Sequence, residues 1–193
     1  MHTVVLITGY ARSGKDTFRN GMFTGNQRCP GRGYNYADGL KEAANKYLDW
    51  VGLGDKDFYD DEFKAQNRHI LVELGRFARS IDVDVFANLF VEDCLEFAKD
   101  CQRIGADALV VNSDWRYLNE LRVTQARLGD LKGWRVITVR IDTDGIGPAN
   151  EEEGLSIGEI TREVAPDYCF VFGRNNPRIV EAEGKNLARI LGV

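Results

Sequence analysis

The segment ITGYARSGKDT, Ile7–Thr17, limits the folds open to this chain more than any other stretch. It overlaps the end of an apolar, β-branched run, TVVLIT (Thr3–Thr8), which predicts a strand buried on both faces. A glycine-rich turn then leads into a short helix opened by Asp16 and Thr17. Gly9, Gly14 and Lys15 keep the spacing of glycine, four residues, glycine and lysine at which backbone N–H groups converge on one phosphate. The helix N-terminus adds partial positive charge there. Position 16 departs from the pattern: Asp16 stands where serine or threonine is usual, and Thr17 comes one place late. The cradle uses no side chain at that place. A hydroxyl there ordinarily ligates magnesium, and a carboxylate is a better hard-cation ligand, directly or through water. Gly9, Arg12, Ser13, Gly14, Lys15, Asp16 and Thr17 therefore form the candidate ATP-binding set, with Lys15 reaching along the terminal phosphates and Thr17 donating to a phosphate oxygen.

The rest of the chain alternates in the same style. ALVVN (Ala108–Asn112), RVITVRI (Arg135–Ile141) and YCFVF (Tyr168–Phe172) predict further parallel strands, and YNYA (Tyr34–Ala37) a weaker fifth. Helices are expected over Leu40–Trp50, over a third segment with Leu71, Leu74, Ala78 and Ile81 on one apolar face, and from about Val85 to Cys101. In that fourth helix Phe86, Leu89, Phe90 and Leu95 point inward, with Asp84 as N-cap. Arg116–Leu128 and Pro177–Leu191 complete the set. The pattern implies an α/β fold of the phosphate-loop NTPase type: a three-layer sandwich with a five-stranded parallel sheet. With 193 residues and no repeat, low-complexity tract or linker, the expectation is one domain, 1–193. Thr24–Gly33 and the acidic Asp142–Gly154 look irregular, the second long enough to serve as a lid.

Composition removes several classes of function. A formal charge of −5 argues against a polynucleotide partner, while leaving room for a small phosphorylated ligand in a local positive pocket. Cys29, Cys94, Cys101 and Cys169 show no C-x-x-C spacing, and with only 2 histidines a zinc or disulfide framework is not expected; buried free thiols are. TVVLI is too short for a membrane span or a signal-peptide core, so a soluble cytoplasmic protein is expected. Trp50 and Trp134 are expected to pack, and His2 and His69 show no catalytic arrangement.

No N-K-x-D segment for guanine follows a later strand. VVNSDWRYLNEL follows the third strand instead, and puts Asp114 at the sheet's ligand edge beside the loop. There it holds the water shell of magnesium or merely caps a helix; Arg116 faces a transferring phosphate or lies on the surface. Trp115 is ambiguous by its position. In the third helix Arg68 and Arg79 fall on nearly one face at about 100° per residue, with Lys64 and Arg76 near them. That face is either a solvated surface or an anion site. Gly75 costs the helix about 1 kcal/mol against alanine, so something packs on its bare backbone: a flat group such as a base, or another helix.

SGKDT, YADGLKEAANKY, ELGRFAR, VNSDWRYLNE and VITVRI, taken in this order, resemble the bacteriophage deoxynucleoside monophosphate kinases, relatives of phosphomevalonate kinases. The similarity spans most of the chain. It implies the nucleoside-monophosphate-kinase fold and transfer of the γ-phosphate of Mg-ATP to a dNMP. It further implies that Lys15, Arg79, Arg116 and Arg140 are catalytic, that Asp38, Lys41, Arg79 and Arg116 border the acceptor and that Glu120 anchors that network; Arg68, Gly75 and Trp115 join the candidate acceptor set by their positions, with the alternatives above. Asp16 and Asp114 face the metal, the acceptor region covers about 38–100, and a lid covers about 142–158. A homodimer also suits the resemblance. The sequence departs from the family in its lid: Ile141–Thr161 contains no Lys or Arg, and Glu151, Glu152 and Glu153 occupy its middle. Arg140 and Arg162 at its borders then supply the charge, or the lid only excludes water, or transfer has been lost. Phosphorylation of another phosphate monoester and nucleotide-dependent regulation are the competing readings.

Overall fold

The computed structural model describes residues 1–26 and 29–193. Strand β1 (His2–Thr8) is buried at every position because it is the central strand of the sheet. Its neighbours are β3 (Leu109–Asn112) and β4 (Trp134–Thr143), and β2 (Gly31–Tyr34) and β5 (Tyr168–Phe172) form the edges. The order is β2-β3-β1-β4-β5, and every pairing is parallel. Alternation along β1 divides the core in two. Val5 and Ile7 pack with Phe18 and Met22 of α1 (Lys15–Gly25) and with Val180 and Leu187 of α7 (Pro177–Leu191). Val4 and Leu6 pack with Tyr36 of α2 (Tyr36–Trp50), Phe86 and Phe90 of α4 (Val85–Arg103), and Leu121 of α5 (Leu118–Thr124). Helices on both faces of a parallel sheet, with a phosphate loop after β1, make the sandwich of the phosphate-loop NTPase type that the alternation predicts. The helix α3 (Asp61–Ile81) joins α2 through a smaller core of Ala44, Phe58 and Leu71.

Helices α1 and α7 touch backbone to backbone. A Cβ at Gly21 would run into the Glu181 carbonyl oxygen, and one at Gly184 into that of Phe18. The helix that carries the phosphate loop is thereby held against the far end of the chain.

Several elements differ from expectation. The fifth strand is Gly31–Tyr34, three residues upstream of YNYA, and Tyr36 already belongs to α2. Glycine is depleted in strands, which hides this one; Gly31 is needed because a Cβ would lie 2.7 Å from the Phe23 ring. Asp142–Gly154 is only partly irregular: β4 continues to Thr143, and a new helix α6 spans Glu151–Glu163. Asn150 caps it by accepting from the Glu153 N–H at 2.8 Å, and three glutamates in its first turn complement the helix dipole. The stretch Thr24–Gly33 is likewise shorter, since α1 runs to Gly25; its residues 27 and 28 lie outside those described.

On α3 only Leu71 of the expected apolar face is buried; Leu74 and Ile81 face solvent with Ile70 and Phe77. Leu89 of α4 also faces solvent, and Ala87, Val91, Cys94 and Ala98 share the buried face with Phe86 and Phe90. Asp84 precedes α4, yet its carboxylate accepts from Asn119 at 2.9 Å and caps no backbone group. The helix expected over Arg116–Leu128 begins at Leu118 and ends in a π-helical turn, Gln125–Gly129. Trp50 is 81% exposed, and of the four free thiols Cys169 is exposed while Cys94 and Cys101 are buried. Among the described residues no helix is long and apolar enough to cross a membrane.

Candidate functional site

The loop between β1 and α1 turns through three residues of positive φ, Gly9 (145°), Arg12 (67°) and Gly14 (92°). A Cβ at Gly9 would collide with the carbonyl oxygen of Ile141 on β4, so only glycine fits. Lys15 is the first residue of α1, and Thr17 the third. The Lys15 ammonium folds over its own loop and donates to the carbonyls of Gly9 and Tyr10, both at 2.7 Å. Burial first, and then the Arg116 charge, lower its pKa against the pull of Asp114, Glu153 and Asp16. Arg12 is exposed, and the Ser13 hydroxyl is buried without a hydrogen-bond partner.

Asp16, the unexpected letter, is held from the side. Its Oδ1 accepts from the Ser113 hydroxyl at 2.7 Å and pairs with Arg19 at 3.4 Å. The Arg19 guanidinium also donates to Ser113 Oγ (2.9 Å) and Asn35 Oδ1 (3.1 Å), joining α1 to the ends of β3 and β2. Asn35 in turn donates to Asp38, which pairs with Lys41 at 2.7 Å, and the Lys41 ammonium sits 4.9 Å above the Tyr59 ring. Asp38 and Lys41 are thus linked through side chains to the phosphate loop. Arg19, Asn35 and Ser113 were not singled out from sequence; the i,i+3 spacing of Arg19 from Asp16 is the one local signal for them.

Beyond β3, Asp114 Oδ1 accepts from Arg116 Nε at 2.6 Å. Glu120 is 2% exposed, and its Oε2 accepts from the backbone N–H groups of Arg116 (2.9 Å) and Tyr117 (3.0 Å). Burial pushes its carboxyl up to about 8; Asp114 adds to the rise, while those two N–H groups and Arg79 oppose it. The Arg79 guanidinium is stacked between the rings of Phe86 (4.7 Å) and Tyr117 (4.6 Å). Gly75 resolves in favour of packing: a Cβ there would lie 3.3 Å from Arg79 Nη1 and from Leu40 Cδ1. Arg79 and α2, with no room for a base, occupy its bare backbone. Trp115 also departs from expectation. At 1% exposed it belongs to the core, its Nε1 donating to the Tyr117 carbonyl at 2.9 Å, so its ring offers no surface to an acceptor. Arg140 is held by both oxygens of Asp142 and by Thr161, and Arg68 is exposed on α3. Neither joins the cluster around Lys15.

The acidic turn of α6 lies over the loop. Glu153, 4% exposed, accepts from the Ala11 N–H of the phosphate loop (3.0 Å) and from the Ala149 N–H (2.7 Å). Glu152 accepts from the Tyr117 hydroxyl at 2.9 Å and lies 3.4 Å from Arg76 Nη2. A cleft of about 510 Å³ opens between α3 and α6, lined by Arg76, Tyr117, Glu152, Leu155 and Arg162. From sequence Glu151, Glu152 and Glu153 mark only the middle of the lid segment.

No protein-family model matches the chain, and no curated protein does. Among solved structures it is similar to an unliganded sugar kinase from Janibacter sp. HTCC2649, at 15% identity and a TM-score of 0.43, over 98% of this chain and 95% of that one.

Proposed function

We propose that the chain is an ATP-dependent kinase that phosphorylates deoxynucleoside monophosphates to diphosphates. The observation that carries this reading is the phosphate loop after the central strand, with Lys15, Asp114 and Arg116 converging on it from α1 and the end of β3. Phosphoryl transfer asks a protein for alignment and charge stabilisation, and a monophosphate oxygen is already ionised near neutral pH, so no general base is required. ATP phosphates lie on the backbone N–H groups from Gly9 to Asp16. Lys15 leaves the Gly9 and Tyr10 carbonyls to reach them. Arg116 and Arg79 receive the acceptor phosphate, Glu120 fixes the backbone that presents Arg116, and Asp38 and Lys41 border the acceptor. Arg140 adds positive charge if it exchanges Asp142 for the moving phosphoryl group.

Among the described residues no cluster of three metal-ligating side chains exists. Two separate carboxylates, Asp16 and Asp114, suit an ion that keeps most of its waters and takes its remaining ligands from ATP, as Mg²⁺ does. Magnesium would supply neutralisation of phosphate charge. The chain acts as one kinase domain over 1–193, with an acceptor region about 38–100 and a lid about 142–158. The exposed stripe of Ile70, Leu74, Phe77 and Ile81 supports a homodimer.

The test is ADP release from Mg-ATP with each dNMP, with AMP, with mevalonate 5-phosphate and with no acceptor. Release that requires a dNMP supports the reading, and release only with mevalonate 5-phosphate replaces the acceptor. Lys15→Ala removes a charge that stabilises the transferring group, worth about 3–4 kcal/mol by analogy with other preorganised donors, and should lower kcat at least a hundredfold. Near-normal turnover in that variant would reject the site. One observation favours a second reading, a nucleotide-binding regulator: an acidic side chain occupies the loop. ATP binding without acceptor-dependent ADP release would select it.

A further inference from the structure

We propose that Glu153 is a resident anion on the phosphate cradle: it latches α6 over the loop, and the phosphates of a nucleotide must displace it. The proposal rests on the nucleotide-binding reading of that loop and adds how the site is regulated.

The Glu153 carboxylate is almost wholly buried, yet it forms no ion pair within 4.0 Å among the described residues. Its partners are backbone N–H groups, Ala11 on one oxygen and Ala149 on the other. A buried anion satisfied by backbone N–H groups is how such a loop receives a phosphate oxygen. The contact closes a separation of 142 residues, so it reports docking of the lid. Asn150 makes the aim definite, because its cap on the Glu153 N–H fixes the first turn of α6. Glu152 adds a second latch, to Tyr117 and Arg76 on the acceptor side. Lys15 meanwhile has its ammonium on its own loop carbonyls.

A carboxylate and a phosphate cannot share the Ala11 N–H, and at that separation two anions repel strongly. Occupation of the loop by phosphate therefore excludes the docked Glu153 and frees the first turn of α6. Two states follow, an empty site with the lid latched and a nucleotide-bound site with it released. The observed affinity for nucleotide is reduced by the fraction of molecules that are latched. The lid's lack of Lys and Arg fits this arrangement: its acidic turn serves the empty state.

The test is ATP titration by calorimetry of the wild type, Glu153→Ala, Glu153→Gln and Lys15→Ala. Hydrogen exchange over 149–157 is measured with and without ATP, and thermal melts confirm that each variant is folded. Expected is ATP binding to Glu153→Ala on the order of tenfold tighter than to wild type, as loss of one charge-assisted contact implies. Glu153→Gln should fall between them, and it answers the question alone if the alanine variant does not fold. ATP should speed exchange at 149–157 in the wild type, and the alanine variant should exchange fast without it. Weaker or unchanged ATP binding in both folded Glu153 variants, or ATP-induced protection of 149–157, overturns the latch. In that case the loop reading survives if the wild type binds ATP and Lys15→Ala does not. No binding by the wild type or by either Glu153 variant overturns both.

Discussion

Replacing Glu120 by glutamine should change how stability depends on pH. The Glu120 carboxyl is 2% exposed and is pushed up to about 8, whereas its ordinary value is 4.5. Between those values the folded protein holds a proton that the unfolded chain releases. The contribution is fully present below about 4.5 and is lost as pH rises through about 8. Stability therefore falls with pH across that window, by up to about 1.4 kcal/mol per unit, on the order of 5 kcal/mol in all. Glutamine keeps an oxygen to accept from Arg116 and Tyr117 and cannot ionise. Urea unfolding of both proteins at several pH values from 5.5 to 9 isolates the effect as the difference between them. The wild type should lose ground steadily to Glu120→Gln up to pH 8, and the gap should then level off. Parallel curves, or a wild type that gains relative to the variant as pH rises, would refute the argument that burial dominates at Glu120.

Two further substitutions probe the supports of the site. Gly184→Ala drives a Cβ into the Phe18 carbonyl and the Met22 N–H; parting α7 from α1 should cost about 1–3 kcal/mol, seen as a fall of several degrees in Tm. Arg79→Ala removes a guanidinium stacked on two rings, with a loss of about 0.5–2 kcal/mol in urea unfolding. It also removes one influence that lowers the Glu120 pKa, so the levelling-off point of the wild-type series should move to higher pH in that background.

What the sequence disclosed, and what it withheld, follows from the range of the interactions concerned. Strands β1, β3 and β5 carry apolar runs and β4 one interrupted by Arg135, Thr138 and Arg140, so all four declare themselves locally. Strand β2 does not, because Gly31 is there to admit Phe23 of α1 over a sheet edge, a tertiary demand written in a residue that weakens a strand. Helix α6 is hidden by Gly154, Gly158 and a nearby proline, though Asn150 three residues before Glu153 and the glutamates of the first turn are usable start signals. That Lys15, Asp114 and Arg116 lie near one another follows from their places after strands. The Glu153 contact could not be found that way, since it needs the docking of a helix across most of the chain. Trp115 and Trp50 show a related limit: adjacent to a motif or on a helix, an indole carries no local mark of which side it will face.

The position of β1 also has a kinetic consequence. Its partners lie far downstream: the Ala108 N–H meets His2 across 106 positions and the Arg135 side chain meets Thr3 across 132. Closing loops of that length precedes any gain from pairing, which places this topology among slow folders. The phosphate loop, near the start of the chain, cannot acquire its shape until the strands on both sides of β1 are in hand. During synthesis the loop therefore emerges long before the downstream strands that give it its shape, and until they arrive TVVLIT is an unpaired apolar strand in need of protection from other chains.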